Sequence, residues 1–162
     1  MILNYLLDTN IVSNLRKQKP HPALLSWLRE TQVANIFMSA PTIAEIQCGI
    51  GQTSNAVKAA EVQAWLDGLL RHGFPSIVPF DAKAAVVLGR LWTTASLNNF
   101  VRNDPRSKNS KSGADLAVAA CAIAHRMVVV TNDGGDFLQI HAACALPGLF
   151  SPFENRWLAE TV

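Results

Sequence analysis

Four carboxylates carry the chemistry that can be read from this chain. Asp8 stands in Leu6-Leu7-Asp8-Thr9-Asn10 and Glu45 in Pro41-Thr42-Ile43-Ala44-Glu45-Ile46. Asp115 stands in Ser112-Gly113-Ala114-Asp115-Leu116 and Asp133 in Thr131-Asn132-Asp133-Gly134-Gly135-Asp136-Phe137. Each also has an ordinary structural use. Asp8 suits a helix N-cap. Asp115 is the acid three residues after a Ser cap, where the positive end of the helix dipole helps keep it ionised. Asn-Asp-Gly-Gly is good turn chemistry, and Glu45 alone reads as a solvated helix face. The conjunction says more. Acids held together repel and raise one another's pKa. A hard divalent cation with oxygen ligands relieves that repulsion, and Mg²⁺, with Mn²⁺ as a substitute, is the usual ion where phosphate is also bound. Such clusters support phosphodiester hydrolysis by metal-activated water. Asp136, three residues beyond Asp133, competes for the fourth place.

The acids need a frame that brings distant residues to one spot. Residues 2–7 form an apolar run ending sharply at Asp8-Thr9-Asn10, a buried strand followed by a helix start. Pro20 and Pro22 open a second helix, with Ala23, Leu24, Trp27 and Leu28 at helical spacing. Ile36 to Ser39 reads as a strand. Pro41 then opens a helix through Ile43, Ile46 and Ile50, which Gly49, Gly51, Thr53 and Ser54 break or bend. An amphipathic helix spans 55–71, and His72-Gly73-Phe74-Pro75 stops it. Ile77 to Phe80 reads as a strand, and Asp81 caps a helix reaching about Thr94. Residues 97–112 read as a polar loop. Ser112 caps a helix from Gly113 to about His125, followed by a strand from Met127 to Val130. Phe137 to Ala143 reads as a short helix, and the tail from Pro147 has no clear element.

Strands separated by helices predict an α/β fold with a central parallel β-sheet flanked by helices on both faces. Ligands in such sheets bind beyond the carboxyl ends of the strands, where strand order reverses. Asp8 and Asp133 both follow expected strands. The chain is read as one domain over 1–150 with a C-terminal tail over 151–162.

With 162 residues, 49% of them hydrophobic, the chain can bury a core and is not disordered. Its net charge of +2 leaves any nucleic-acid contact to local rather than global charge. Three cysteines, Cys48, Cys121 and Cys144, form no CxxC pair, which favours a reducing compartment. Cys121, His125, His141 and Cys144 make a weak zinc pattern, because zinc sites more often pair like ligands at each end. The N-terminus lacks a signal peptide's basic start, and no apolar run reaches the roughly 18 residues of a membrane span. A soluble, cytoplasmic protein is expected.

In these motifs the chain resembles the PIN-domain family, in particular the VapC and FitB-like toxins of type II toxin–antitoxin pairs. The residues that carry the resemblance are Leu6 to Ser13, Ser39 to Ile46, Ala114 to Ala120 with Ala124-His125, and Val130 to Asp133 with Asp136-Phe137; in order and spacing they cover nearly the whole chain. It implies a PIN-like fold, a Mg²⁺-dependent endoribonuclease, a homodimer, and a cognate antitoxin that blocks the acidic pocket. It also implies that Asp8, Glu45 and Asp115 are the strongest metal-site acids. The fourth position falls on Asp133, and Thr9 and Thr131 match hydroxyls that orient the first and last carboxylates. Two rival readings remain. A haloacid-dehalogenase-type phosphatase also uses an Asp after its first strand, but it wants a second acid two residues on, where this chain has Asn10. The other is a catalytically silent PIN-like scaffold that only binds RNA or a partner.

Two departures stand out. Gly134-Gly135 replaces bulkier or charged residues, and the 97–112 stretch is longer than usual. That stretch carries Arg102, Arg106, Lys108 and Lys111 against the single acid Asp104, a local balance of +3. Next to the Asp115 helix, this charge is a candidate contact for the RNA backbone. Single-stranded or loop RNA is the expected target, since its bases and 2′-hydroxyls are accessible. Trp27, Trp65 and Trp92 fall on apolar helix faces and are assigned to the core or a dimer interface. Neutralising Arg102, Arg106, Lys108 and Lys111 is expected to weaken RNA binding and flatten its salt dependence; unchanged titrations across salt would rule the stretch out.

Overall fold

The computed structural model describes residues 2–101 and 113–160. The four basic residues of the 97–112 stretch and the expected Ser112 cap lie outside the described residues. Strand β1 (Tyr5–Leu7) pairs in parallel on one side with β2 (Ile36–Ser39) and on the other with β4 (Val128–Val130). Beyond β2 lies β3 (Ser76–Val78), and beyond β4 lies β5 (Leu149–Ser151), both parallel. An antiparallel β6 (Arg156–Ala159) completes one six-stranded sheet in the order β3-β2-β1-β4-β5-β6. The chain winds outward from β1 to β3, then returns to build the other half from β4. The reversal falls between β1 and β4, and a crevice opens there at their carboxyl ends.

Successive strand residues point to opposite faces, so Leu6 and Leu7 serve different cores. Leu6 and Val129 join a cluster with Leu88, Leu91, Leu116 and Ala120, beneath α5 (Ala82–Trp92), α7 (Gly113–His125) and α8 (Gly134–Ala143). Leu7 and Val130 join Ile11, Leu24, Met38, Ile46 and Leu66, beneath α1 (Thr9–Leu15), α2 (Pro22–Glu30), α3 (Ala40–Gln52) and α4 (Ala56–His72). A sheet covered on both faces explains why its strands read as unbroken apolar runs.

Local chemistry sets the helix starts. Ser39 caps α3 by accepting from the Thr42 amide, so the helix begins at Ala40. It runs through Gly49 and Gly51 to Gln52 instead of ending near them. Asn55 and Asp81 cap α4 and α5 in the same way. Gly73, at φ 65°, closes α4 in the left-handed conformation that glycine adopts most easily. At Gly134 an added Cβ would stand 2.4 Å from a methyl of Leu158, so this glycine lets β6 lie close over the start of α8.

Two regions depart from expectation. The polar stretch begins with structure: a single turn at Ala95–Leu97 leads into α6 (Asn98–Val101), because Leu97 and Phe100 are buried in the core. Two apolar anchors three residues apart are too few to register as a period. The C-terminal segment forms β5 and β6, and the boundary drawn at 150 falls inside β5. Phe150 connects them to the body of the protein, with ring centroids 5.9 Å from Trp27 on α2 and 5.3 Å from Trp157 on β6. Trp92, by contrast, is half exposed. Phe150→Ala is expected to cost about 3–5 kcal/mol in urea unfolding, as for other buried aromatics. A loss under about 1 kcal/mol would show that the C-terminal strands are peripheral to stability.

Candidate active site

Asp8 follows β1 directly and caps α1, and it is 4% exposed. Its Oδ1 accepts from the Thr9 amide at 2.7 Å, and its Oδ2 accepts from the Thr131 hydroxyl at 2.9 Å. Thr131 follows β4 and is fully buried. Its oxygen accepts from the Asn10 amide group at 3.0 Å and from the Asp133 backbone amide at 3.1 Å. A hydroxyl has one proton and two lone pairs. With both lone pairs engaged, the proton of Thr131 is directed to Asp8, a stronger acceptor than the Asp133 carbonyl at 3.2 Å. Asn10 completes the clasp by accepting from the Asn132 amide at 3.1 Å. The loops after β1 and β4 are thus tied together across the switch point.

Glu45 projects from α3, half-buried, and accepts a short hydrogen bond from the Thr9 hydroxyl. The side-chain hydroxyls therefore serve other acids than the resemblance implied. Thr9 holds Glu45 while its backbone amide holds Asp8, and Thr131 orients Asp8 rather than the Asp133 carboxylate. Asp115, in the first turn of α7, shares a side-chain hydrogen bond with Asp136 of α8. Asp133 is exposed and caps α8, its Oδ1 accepting from the Gly135 amide at 3.2 Å. That cap starts α8 at Gly134, three residues before the expected Phe137.

Burial pushes the Asp8 carboxyl up to about 6, against the bonds from Thr131 and Thr9, and the charges of Glu45 and Asp133 push the same way. Burial likewise raises Asp115 to about 8, helped by the charges of Asp8, Glu45 and Asp136 and by its bond to Asp136. The fold therefore places acids from α3, α7, α8 and the ends of β1 and β4 in one electrostatic neighbourhood. Among the described residues no group of three or more His, Cys, Asp or Glu side chains is gathered closely enough to hold a metal ion outright. As a donor set made wholly of carboxyl oxygens, the acids fit a hard divalent cation.

The zinc pattern dissolves. Cys121 is buried and its thiol is pushed up to about 11, and His125 faces Asp81 at 3.6 Å. His141 Nδ1 accepts from the Leu146 amide at 3.1 Å. Asn10 is the site residue that sequence reasoning passed over as a mere non-acid; its place beside Asp8 was the available signal.

A family model described as PIN domain matches residues 5–142. The chain is 27% identical over 151 residues to Toxin FitB of Neisseria gonorrhoeae, covering 93% of this chain and 99% of that protein. It is 29% identical over 132 residues to VapC ribonuclease Y4jK of Sinorhizobium fredii, covering 81% of this chain and 88% of that one. Among solved structures it is similar to VapBC2 from Rickettsia felis bound to a promoter DNA fragment, at 25% identity and TM-score 0.67, covering 92% of this chain and 98% of that one. With the family model spanning most of its length, and the acidic crevice at the reversal of its parallel sheet, the chain belongs to the PIN-domain family.

Proposed function

We propose that this chain is a metal-dependent endoribonuclease that acts as the toxin of a type II toxin–antitoxin pair. The observation that carries the reading is the meeting of Asp8, Glu45, Asp115 and Asp136 in one electrostatic neighbourhood on a PIN-domain scaffold. Relatives named as a toxin and as a ribonuclease support it. Mg²⁺, or Mn²⁺ in its place, would be held by Asp8, Glu45 and Asp115. Bound there, it would activate water, polarise the phosphoryl oxygen and stabilise the leaving oxygen. Of the two remaining acids the geometry favours Asp136, which meets Asp115. Asp133 lends its charge toward Asp8 and its side chain to the α8 cap.

The chain's own groups prepare this site. Thr131 and the Thr9 amide fix both oxygens of Asp8, and the Thr9 hydroxyl fixes Glu45. Burial and the neighbouring charges raise the Asp115 carboxyl to about 8, and a bound cation would draw it back toward its ionised form. A cognate antitoxin has a suitable seat nearby. Leu15, Leu28, Trp65, Leu69, Phe74 and Pro75 line an apolar groove of about 530 Å³, the kind of surface an amphipathic helix fills. Assembly as a homodimer belongs to the same reading. Among the described residues no helix is long and apolar enough to cross a membrane.

RNA cleavage with Mg²⁺ is expected to stop in EDTA and to fall by roughly 10²-fold or more in Asp8→Asn and Asp115→Asn, the scale on which one positioned group at a reacting centre acts. Asp136→Asn is expected to lose more than Asp133→Asn. Metal-independent cleavage, or full activity in both Asp8→Asn and Asp115→Asn, would sink the mechanism.

Stability should report the same charges. The folded protein keeps protons on Asp8 and Asp115 that an unfolded chain has released, so this contribution is whole below 3.8 and lost as pH rises through about 6 and about 8. In EDTA, Tm is expected to fall between pH 5 and pH 8.5, and Mg²⁺ to restore it at the upper end only. These pH values bracket the two raised carboxyls, at about 6 and about 8. A metal-free Tm that is flat or rising across that window would contradict the assignment.

A further inference from the structure

A second pocket opens beside the acids and shares one wall with them. It measures about 250 Å³ and lies between α1, α3 and α4. Thr9 and Glu45 form the wall it shares with the acidic crevice, so an occupant would adjoin the reacting phosphate. Its other polar lining includes Arg16, at the end of α1, and Lys58, in the first turn of α4. Both cations are exposed, and neither has an ion-pair partner among the described residues. The apolar lining is Ile46, Ile50, Val62 and the Trp65 side chain.

We propose that this pocket is a nucleotide subsite, seating one base of the RNA against Trp65, Ile50 and Val62 while Arg16 and Lys58 hold the adjoining backbone phosphates. The inference rests on the ribonuclease reading above and names where its substrate is gripped. Three features favour it. The volume lies just below the roughly 300 Å³ at which pockets for larger ligands begin, so it suits a single flat ring system with the phosphates outside. An aromatic and aliphatic wall beneath unpaired cations is the composition used to bind single strands, in which bases stack and phosphates pair with Lys and Arg. The hydroxyls of Ser13 and Thr53 in the same lining offer hydrogen bonds to a base edge.

Two variants test it without touching the acids. Arg16→Ala with Lys58→Ala removes the phosphate contacts from exposed positions. Gly49→Leu fills the pocket, and it should fold because a Cβ at Gly49 meets nothing within 4 Å and Leu is the better helix former. The probe is a fluorescein-labelled, mixed-sequence, single-stranded RNA of ten nucleotides, titrated by anisotropy in EDTA so that no cleavage intervenes. A ribose-phosphate oligomer of equal length without bases serves as control. The double variant is expected to bind both probes about tenfold more weakly and to lose up to about 1.4 from the salt slope, at about 0.7 per phosphate contact. Gly49→Leu is expected to weaken the RNA about tenfold, the scale of one lost stacked base, and to leave the base-free probe unchanged. Binding of both variants like the starting protein would overturn the subsite, as would equal loss on the two probes in Gly49→Leu. Intact RNA binding with weakened neutralisation by the cognate antitoxin would make the pocket a protein site and likewise end the proposal. Cleavage of RNA by the unaltered protein with Mg²⁺ is measured alongside. Its absence counts against the ribonuclease reading, while the anisotropy data still decide the pocket.

Discussion

Burying a carboxylate at the end of a central strand is costly unless its oxygens are matched, and the site is organised around that requirement at Asp8. The Thr9 amide takes one oxygen and the Thr131 hydroxyl takes the other. Thr131 is itself directed by donors from Asn10 and the Asp133 amide. Through these bonds the ends of β1 and β4, 123 residues apart in sequence, are closed over one buried acid. The cap that starts α1 and the clasp that closes the crevice are the same group of atoms.

Hydrogen bonding does not fully compensate Asp8, and Asp115 is compensated still less. Both carboxyls are raised, first by burial and then by neighbouring negative charge. A fold selected for stability alone would have no use for such a cluster. The surrounding core carries it: Leu7, Ile11 and Val130 lie beneath one side and Leu116 and Phe137 beneath the other, all buried. Apolar packing on both faces of the sheet fixes the backbone, so the acids can stand against one another without the strands parting. In an arrangement of this kind the carboxyl pKa values rise, and positive charge placed among the acids would lower that cost.

Much of this was legible in the order of residues. The apolar runs before Asp8 and before Thr131, the cap at Asp81, and the helical spacing of 55–71 are local signals, and the elements appear where those signals put them. Elements shorter than a period were not legible. Leu149-Phe150-Ser151 is too brief to announce a strand, and pairing with β4 and β6 and the packing of Phe150 against Trp27 make it one. The turn that buries Leu97 and Phe100 escaped notice for the same reason. At the site, Asp8, Glu45 and Asp115 were visible as candidates. The hydroxyl partners were not, because a Thr beside an Asp does not reveal which carboxylate its side chain will face.

Residue order alone determined the kinds of groups available and the alternation that builds a parallel sheet, since both depend on chemistry within a few neighbours. Tertiary structure decided the pairings. It set Thr9 on Glu45, Thr131 on Asp8 and Asp136 on Asp115, and it gave the Asp133 side chain to the start of α8. The reason is geometric: hydrogen bonds and charge interactions act over a few ångströms, and only the crossing from β1 to β4 at the centre of the sheet brings those residues within reach.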